Sequence, residues 1–91
     1  MTVRFELTAR LAELAGFREE PVELPESATL ADAAACLVVR LREAGESRLL
    51  EGGRLHPSIL ALVDGHACRS GDPVPLTDGE RIRLMLPVAG G

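Results

Sequence analysis

Ninety-one residues make one domain, near the lower size at which a chain folds around a core of its own. Apolar residues reach 46%, yet Trp and Tyr are absent and only Phe5 and Phe17 are aromatic, so the core must be aliphatic. A net charge of −4 without a basic run argues against a nucleic-acid partner. No apolar stretch approaches a membrane span and no signal pattern opens the chain, so a cytoplasmic protein is expected.

Val3, Phe5 and Leu7 alternate with Arg4, Glu6 and Thr8, a period of two that predicts a half-buried strand. Thr8 can then cap a short helix over Ala9–Ala15, which Gly16 is placed to end. Residues 21–25, bounded by Pro21 and Pro25, read as a short extended piece at a sheet edge. Thr29 and Asp32 form a capping signal. From there Leu30, Ala33, Leu37, Leu41 and Ala44 recur at helical spacing, beside Ala34 and Val38, until Gly45 closes the main helix. Gly52, Gly53 and Pro57 interrupt residues 46–58, which are expected to be a loop with one helical turn around Leu49.

Residues 59–63 are a continuous apolar run ending in Asp64-Gly65, a strand entering a tight turn. His66, Ala67 and Cys68 are expected to pair briefly after it. Two further turns follow, at residues 70–73 and 77–79. Residues 81–86 form the last strand, with Ile82, Leu84 and Leu86 inward and Arg81, Arg83 and Met85 outward.

This order predicts an α+β fold in which the main helix crosses one face of a mixed sheet, the β-grasp arrangement. Leu60 and Leu62 share one strand face while Ile59, Ala61 and Val63 share the other, and only one face can lie under the helix. If Leu60, Leu62 and the outward Met85 cluster on the open face, they form an apolar patch of the kind that marks partner surfaces, unless short helices or loops cover them.

Other reactive residue types give little. Cys36 and Cys68 lack metal-type spacing and read as two buried thiols, and His56 and His66 add no ligand repeat, so no metal is expected. Asp64 and Asp78 each precede a glycine and read as turn formers, not acid–base catalysts. His66 reads as a solvated loop residue. All ten basic residues are arginine, so the one amine is the N-terminus and the protein cannot be extended through lysines of its own.

The sequence closes on Pro87-Val88-Ala89-Gly90-Gly91. Two residues without Cβ atoms make a thin ribbon that can enter a narrow slot, although glycines also suit a frayed end. Its carboxylate becomes a usable electrophile only after activation, for instance as an acyl-adenylate.

The pattern from Val63-Asp64-Gly65 through Leu76-Thr77-Asp78-Gly79-Glu80 to Pro87-Val88-Ala89-Gly90-Gly91 resembles the MoaD/ThiS ubiquitin-like sulfur carriers. Residues 9–16 are similar to the corresponding segment of the molybdopterin synthase small subunit. The resemblance implies a β-grasp domain over residues 1–86 and a flexible tail over residues 87–91. It implies that Gly91 is adenylated by a ubiquitin-activating-type adenylyltransferase that consumes ATP, then converted to a thiocarboxylate. The sulfur would pass to a precursor held by a sulfur-accepting synthase or large subunit, as in molybdopterin, thiamine, cysteine or thiolated-tRNA synthesis. Such a protein is a co-substrate and not an enzyme, and holds no cofactor tightly. Pro87 would stiffen the tail at its root, Val88 would be gripped, and Ala89, Gly90 and Gly91 would offer backbone groups to a partner channel. Leu60, Leu62, Met85, Arg81 and Arg83 would form the partner surface. Two alternatives share the tail: a modifier joined through Gly91 to lysines of other proteins, and a non-reactive β-grasp adaptor. A ferredoxin is excluded, since two cysteines cannot hold a cluster.

Overall fold

The computed structural model describes residues 1–86. The expectations at Pro87, Val88, Ala89, Gly90 and Gly91 lie outside the described residues. The elements in chain order are β1 (Thr2–Leu7), α1 (Ala9–Ala15), β2 (Glu19–Glu23), α2 (Leu30–Glu43), β3 (Leu50–Glu51), β4 (Arg54–Leu55), β5 (Leu60–Val63), β6 (His66–Arg69) and β7 (Arg81–Met85).

Five strands form one sheet in the order β2-β1-β7-β5-β6. The central pair, β1 and β7, is parallel, and the other pairs are antiparallel. That mixed sheet carries α2 across one face, the β-grasp arrangement expected from the sequence. The core is aliphatic apart from Phe5: Val3, Phe5 and Leu7 of β1, Ala61 and Val63 of β5, and Ile82 and Leu84 of β7 are buried with Leu30, Leu37 and Leu41 of α2. Pro21 stands on β2, at the sheet edge, where its missing N–H leaves no inner ladder bond unmade.

Caps account for where α2 begins and ends. The Thr29 N–H donates to Asp32 Oδ2 at 2.9 Å, fixing the first turn. At the other end Gly45 N–H donates to the Arg42 carbonyl at 3.0 Å and Glu46 N–H to the Leu41 carbonyl at 2.9 Å. These two bonds make a Schellman ending, which needs the left-handed φ of +76° that Gly45 supplies. Ala44 is therefore exposed at the helix end and does not extend the buried stripe. Thr8 precedes α1 as expected, but its side chain makes no capping bond. Its N–H instead donates to the Leu84 carbonyl at 3.1 Å, tying the start of α1 to β7.

The largest departure from expectation is at residues 46–58. In place of a loop with a helical turn, β3 and β4 pair as a small antiparallel hairpin turning through Gly52-Gly53. Leu49 and Leu55 reach the core from it. The two cysteines also differ from expectation: Cys36 is exposed on α2 and Cys68 is half-buried on β6. Cys36 lies off the buried stripe of its helix, which runs through residues 30, 33, 34, 37, 38 and 41.

Candidate functional site: the open sheet face

The parity of β5 decides which face is open. Ala61 and Val63 are buried under α2, which turns Leu60 and Leu62 to the opposite face, where both are half-buried. β7 runs antiparallel beside it and pairs Leu60 with Met85 and Leu62 with Arg83. Met85 is half-buried, and Arg81 and Arg83 are exposed. The five residues expected to form a partner surface are thus brought together on one face of two adjacent strands. Among the described residues no helix covers them; both α1 and α2 bury their apolar stripes in the core.

The parallel pairing of β1 with β7 adds a residue that the sequence did not single out. Glu6 stands beside Arg83 in the register, and its carboxylate faces both arginines, at 3.5 Å from Arg81 Nη1 and 3.9 Å from Arg83 Nη2. Alternation marks Glu6 as outward, but only the sheet order shows that its neighbour is the last strand. The face therefore reads as an apolar strip, Leu60, Leu62 and Met85, flanked by two arginines that share one carboxylate. The turn carboxylates Asp64, Asp78 and Glu80 line the same surface beyond Arg81 and Arg83, so the strip is bordered by both signs of charge.

The turn acids act as the sequence suggests. Asp78 accepts the Thr2 N–H at 2.8 Å, and Asp72 accepts the Arg69 N–H at 3.0 Å. Asp64 and Gly65 both have positive φ, as a two-residue hairpin turn of type I′ requires. His66 is exposed, though on β6 and not in a loop. Among the described residues, no three His, Cys, Asp or Glu side chains are grouped to hold a metal, and no helix is long and apolar enough to cross a membrane.

β7 ends at Met85, two residues before Pro87, so the strip and the arginines lie at the root of the tail. This arrangement can dock against another protein, and beside the strip a shallow groove of about 540 Å³ is lined by Glu6, Leu62, Asp64, Asp78, Glu80, Arg81 and Arg83.

Comparison with known proteins follows the same lines. The family model described as the ThiS family matches residues 5–91. Small archaeal modifier protein 1 of Haloferax volcanii is 36% identical over 90 residues, spanning 98% of this chain and 100% of that one. A crystal structure of that organism's small archaeal modifier protein 1 has a TM-score of 0.79 at 35% identity and covers 100% of both chains. A proposed molybdopterin converting factor, subunit 1, from Pyrococcus furiosus has a TM-score of 0.70 at 25% identity, covering 97% of this chain and 99% of the other.

Proposed function

The chain belongs to the ThiS family, and from that premise we propose that it is a ubiquitin-like sulfur carrier whose reactive end is Gly91. The observation that carries the reading is that the family match runs through residue 91 and so includes Gly90-Gly91. An oxygen of the Gly91 carboxylate attacks the α-phosphorus of ATP on an activating enzyme and expels pyrophosphate. A sulfide sulfur then attacks the acyl carbon and AMP leaves, giving a thiocarboxylate. That group is ionised at neutral pH and keeps a soft nucleophilic sulfur for an electrophile held by an acceptor enzyme.

This protein contributes reach and recognition. The absence of Cβ atoms at Gly90 and Gly91 lets the acyl group enter a narrow channel, while Leu60, Leu62 and Met85 supply apolar contact area at the tail's root. Arg81 and Arg83 favour an activating enzyme or synthase whose facing surface is acidic. The likeness to a molybdopterin converting factor subunit supports a molybdopterin synthase as the acceptor.

The modifier reading is favoured by a different observation, the 36% identity to small archaeal modifier protein 1. The same adenylate would then be taken by a lysine amine of another protein. Because this chain has no lysine, each attachment would add one unit without side-chain branching. Both readings are tested by ATP–pyrophosphate exchange with the cognate activating enzyme. Exchange that is lost when Gly91 is deleted supports activation at the tail; exchange unaffected by that deletion, or none with the intact protein, leaves the adaptor reading. Glycylglycine remnants on lysines of other proteins would favour the modifier over the carrier.

A further inference from the structure

On the helix side of the molecule, away from the open face, a groove of about 700 Å³ runs between α2 and the β3–β4 hairpin. Its floor is apolar: Ala34, Ala35 and Val38 of α2 face Leu55 and Ile59 across it. Val39, the large hydrophobic residue that stands out as exposed at 55%, extends the same helix surface one turn beyond Ala35. Arginine borders the hairpin end. Arg54 lines the groove, and the Arg42 guanidinium lies against the turn so closely that a Cβ on Gly53 would meet Nη2 at 3.0 Å.

The charges around this groove are not matched internally. Six of the ten arginines, among them Arg40, Arg48 and Arg81, have a carboxylate within 4.0 Å, but among the described residues Arg42 and Arg54 have none. Glu51, which stands opposite Arg54 in the hairpin, is at 3.8 Å from His56 Nε2 instead. Asp72, at the far end, is engaged by the Arg69 N–H. Arg69, which also lines the groove, has none either, so among the described residues a protein of net charge −4 keeps three guanidinium groups without an ion pair, Arg42, Arg54 and Arg69, around an apolar floor whose lining holds the one carboxylate of Asp72.

We propose that this groove is a second docking surface, which takes a short acidic segment of a partner protein carrying one or two aliphatic anchors. The aliphatic side chains would cover the floor and Val39, and the segment's carboxylates would pair with Arg42 and Arg54. A free small anion fits less well, because it would leave the apolar floor uncovered. The volume of about 700 Å³ lies within the range of clefts that hold a ligand. None of Leu60, Leu62 and Met85 lines this groove, so the surface is distinct from the strip on the open sheet face.

The test is selection of a random nonapeptide display library against the intact protein, followed by binding of the selected peptides to the wild type and to an Arg42→Glu/Arg54→Glu double variant. Both positions are exposed, so the variant is expected to keep its fold; circular dichroism and the thermal midpoint verify this. The expected result is enrichment of peptides with at least two carboxylates and a Leu, Ile or Val. Their affinity should fall at least tenfold in the double variant and at raised salt, and the amide shifts they cause should centre on residues 31–39 and 53–59. Thiocarboxylate formation at Gly91 should be unchanged in the same variant, which separates this surface from the carrier reading. No enrichment, enrichment without acidic residues, or affinity indifferent to the double variant would overturn the proposal. So would shifts centred on Leu60, Leu62 and Met85. A dimer of this chain lost in the double variant, or peptide binding that strengthens when residues 87–91 are deleted, would assign the groove to a second copy or to this chain's own tail and equally overturn it.

Discussion

Leu60 stands directly opposite Met85 across the β5–β7 ladder, on the sheet face that α2 leaves open. The two side chains are half-buried, so each has apolar surface that a partner can still remove from water. Leu60→Asp or Met85→Asp should leave the fold intact and raise the activating enzyme's KM for this protein about tenfold or more, with little change in kcat. Steady-state ATP–pyrophosphate exchange at varied carrier concentration reads that split. Unchanged KM in both variants would show that the strip is not a docking surface.

Glu46 should give the fold a dependence on acid. Hydrogen bonding from the Arg48 guanidinium, with Nη2 at 2.9 Å, holds its carboxyl below the ordinary glutamate value. Desolvation opposes this shift, and the Arg48 N–H bond at 2.6 Å adds to it. A carboxyl whose pKa is lower in the folded state stabilises above its unfolded pKa, and that contribution is lost as pH falls through the folded value. Glu46→Gln should therefore unfold at lower urea than the wild type at neutral pH, with the two midpoints converging as the pH falls through the folded-state pKa of Glu46. A gap that stays constant across this range would assign the effect to shape instead of charge.

Asp32→Ala removes the acceptor for the Thr29 N–H at the start of the main helix. The expected cost is about 1 kcal/mol, seen as a lower urea midpoint with an unchanged m-value.

Phe5→Ala should cost more, about 3–5 kcal/mol, because Phe5 is fully buried at the centre of the sheet and is the one aromatic ring in the core. In a domain of this size such a loss is a large share of total stability. Equilibrium unfolding in urea measures it.

Much of this architecture was legible in the sequence. The strands around Phe5, Leu62 and Leu84 carry clear patterns, and the parity of residues 59–63 puts Leu60 and Leu62 on one face, while the burial of Ala61 and Val63 shows that this face is the open one. The β3–β4 hairpin was missed because strands of two residues have no periodicity to read. Its Gly52-Gly53 turn was the available signal. Residue type alone places Cys36 in the interior, although its place between Ala33 and Leu37 on the helix puts it off the buried stripe. Position was the better guide there. Glu6 could not be placed beside Arg81 and Arg83 from sequence, because parallel pairing joins β1 to a strand more than seventy residues away.

The most direct test of the carrier reading is the intact mass of the protein purified gently from its own host, compared with a variant lacking Gly91. The account predicts a component heavier by the difference between oxygen and sulfur, present in the wild type and absent from the variant. A single species at the free-carboxylate mass, from cells with sulfur supply and ATP intact, would contradict it.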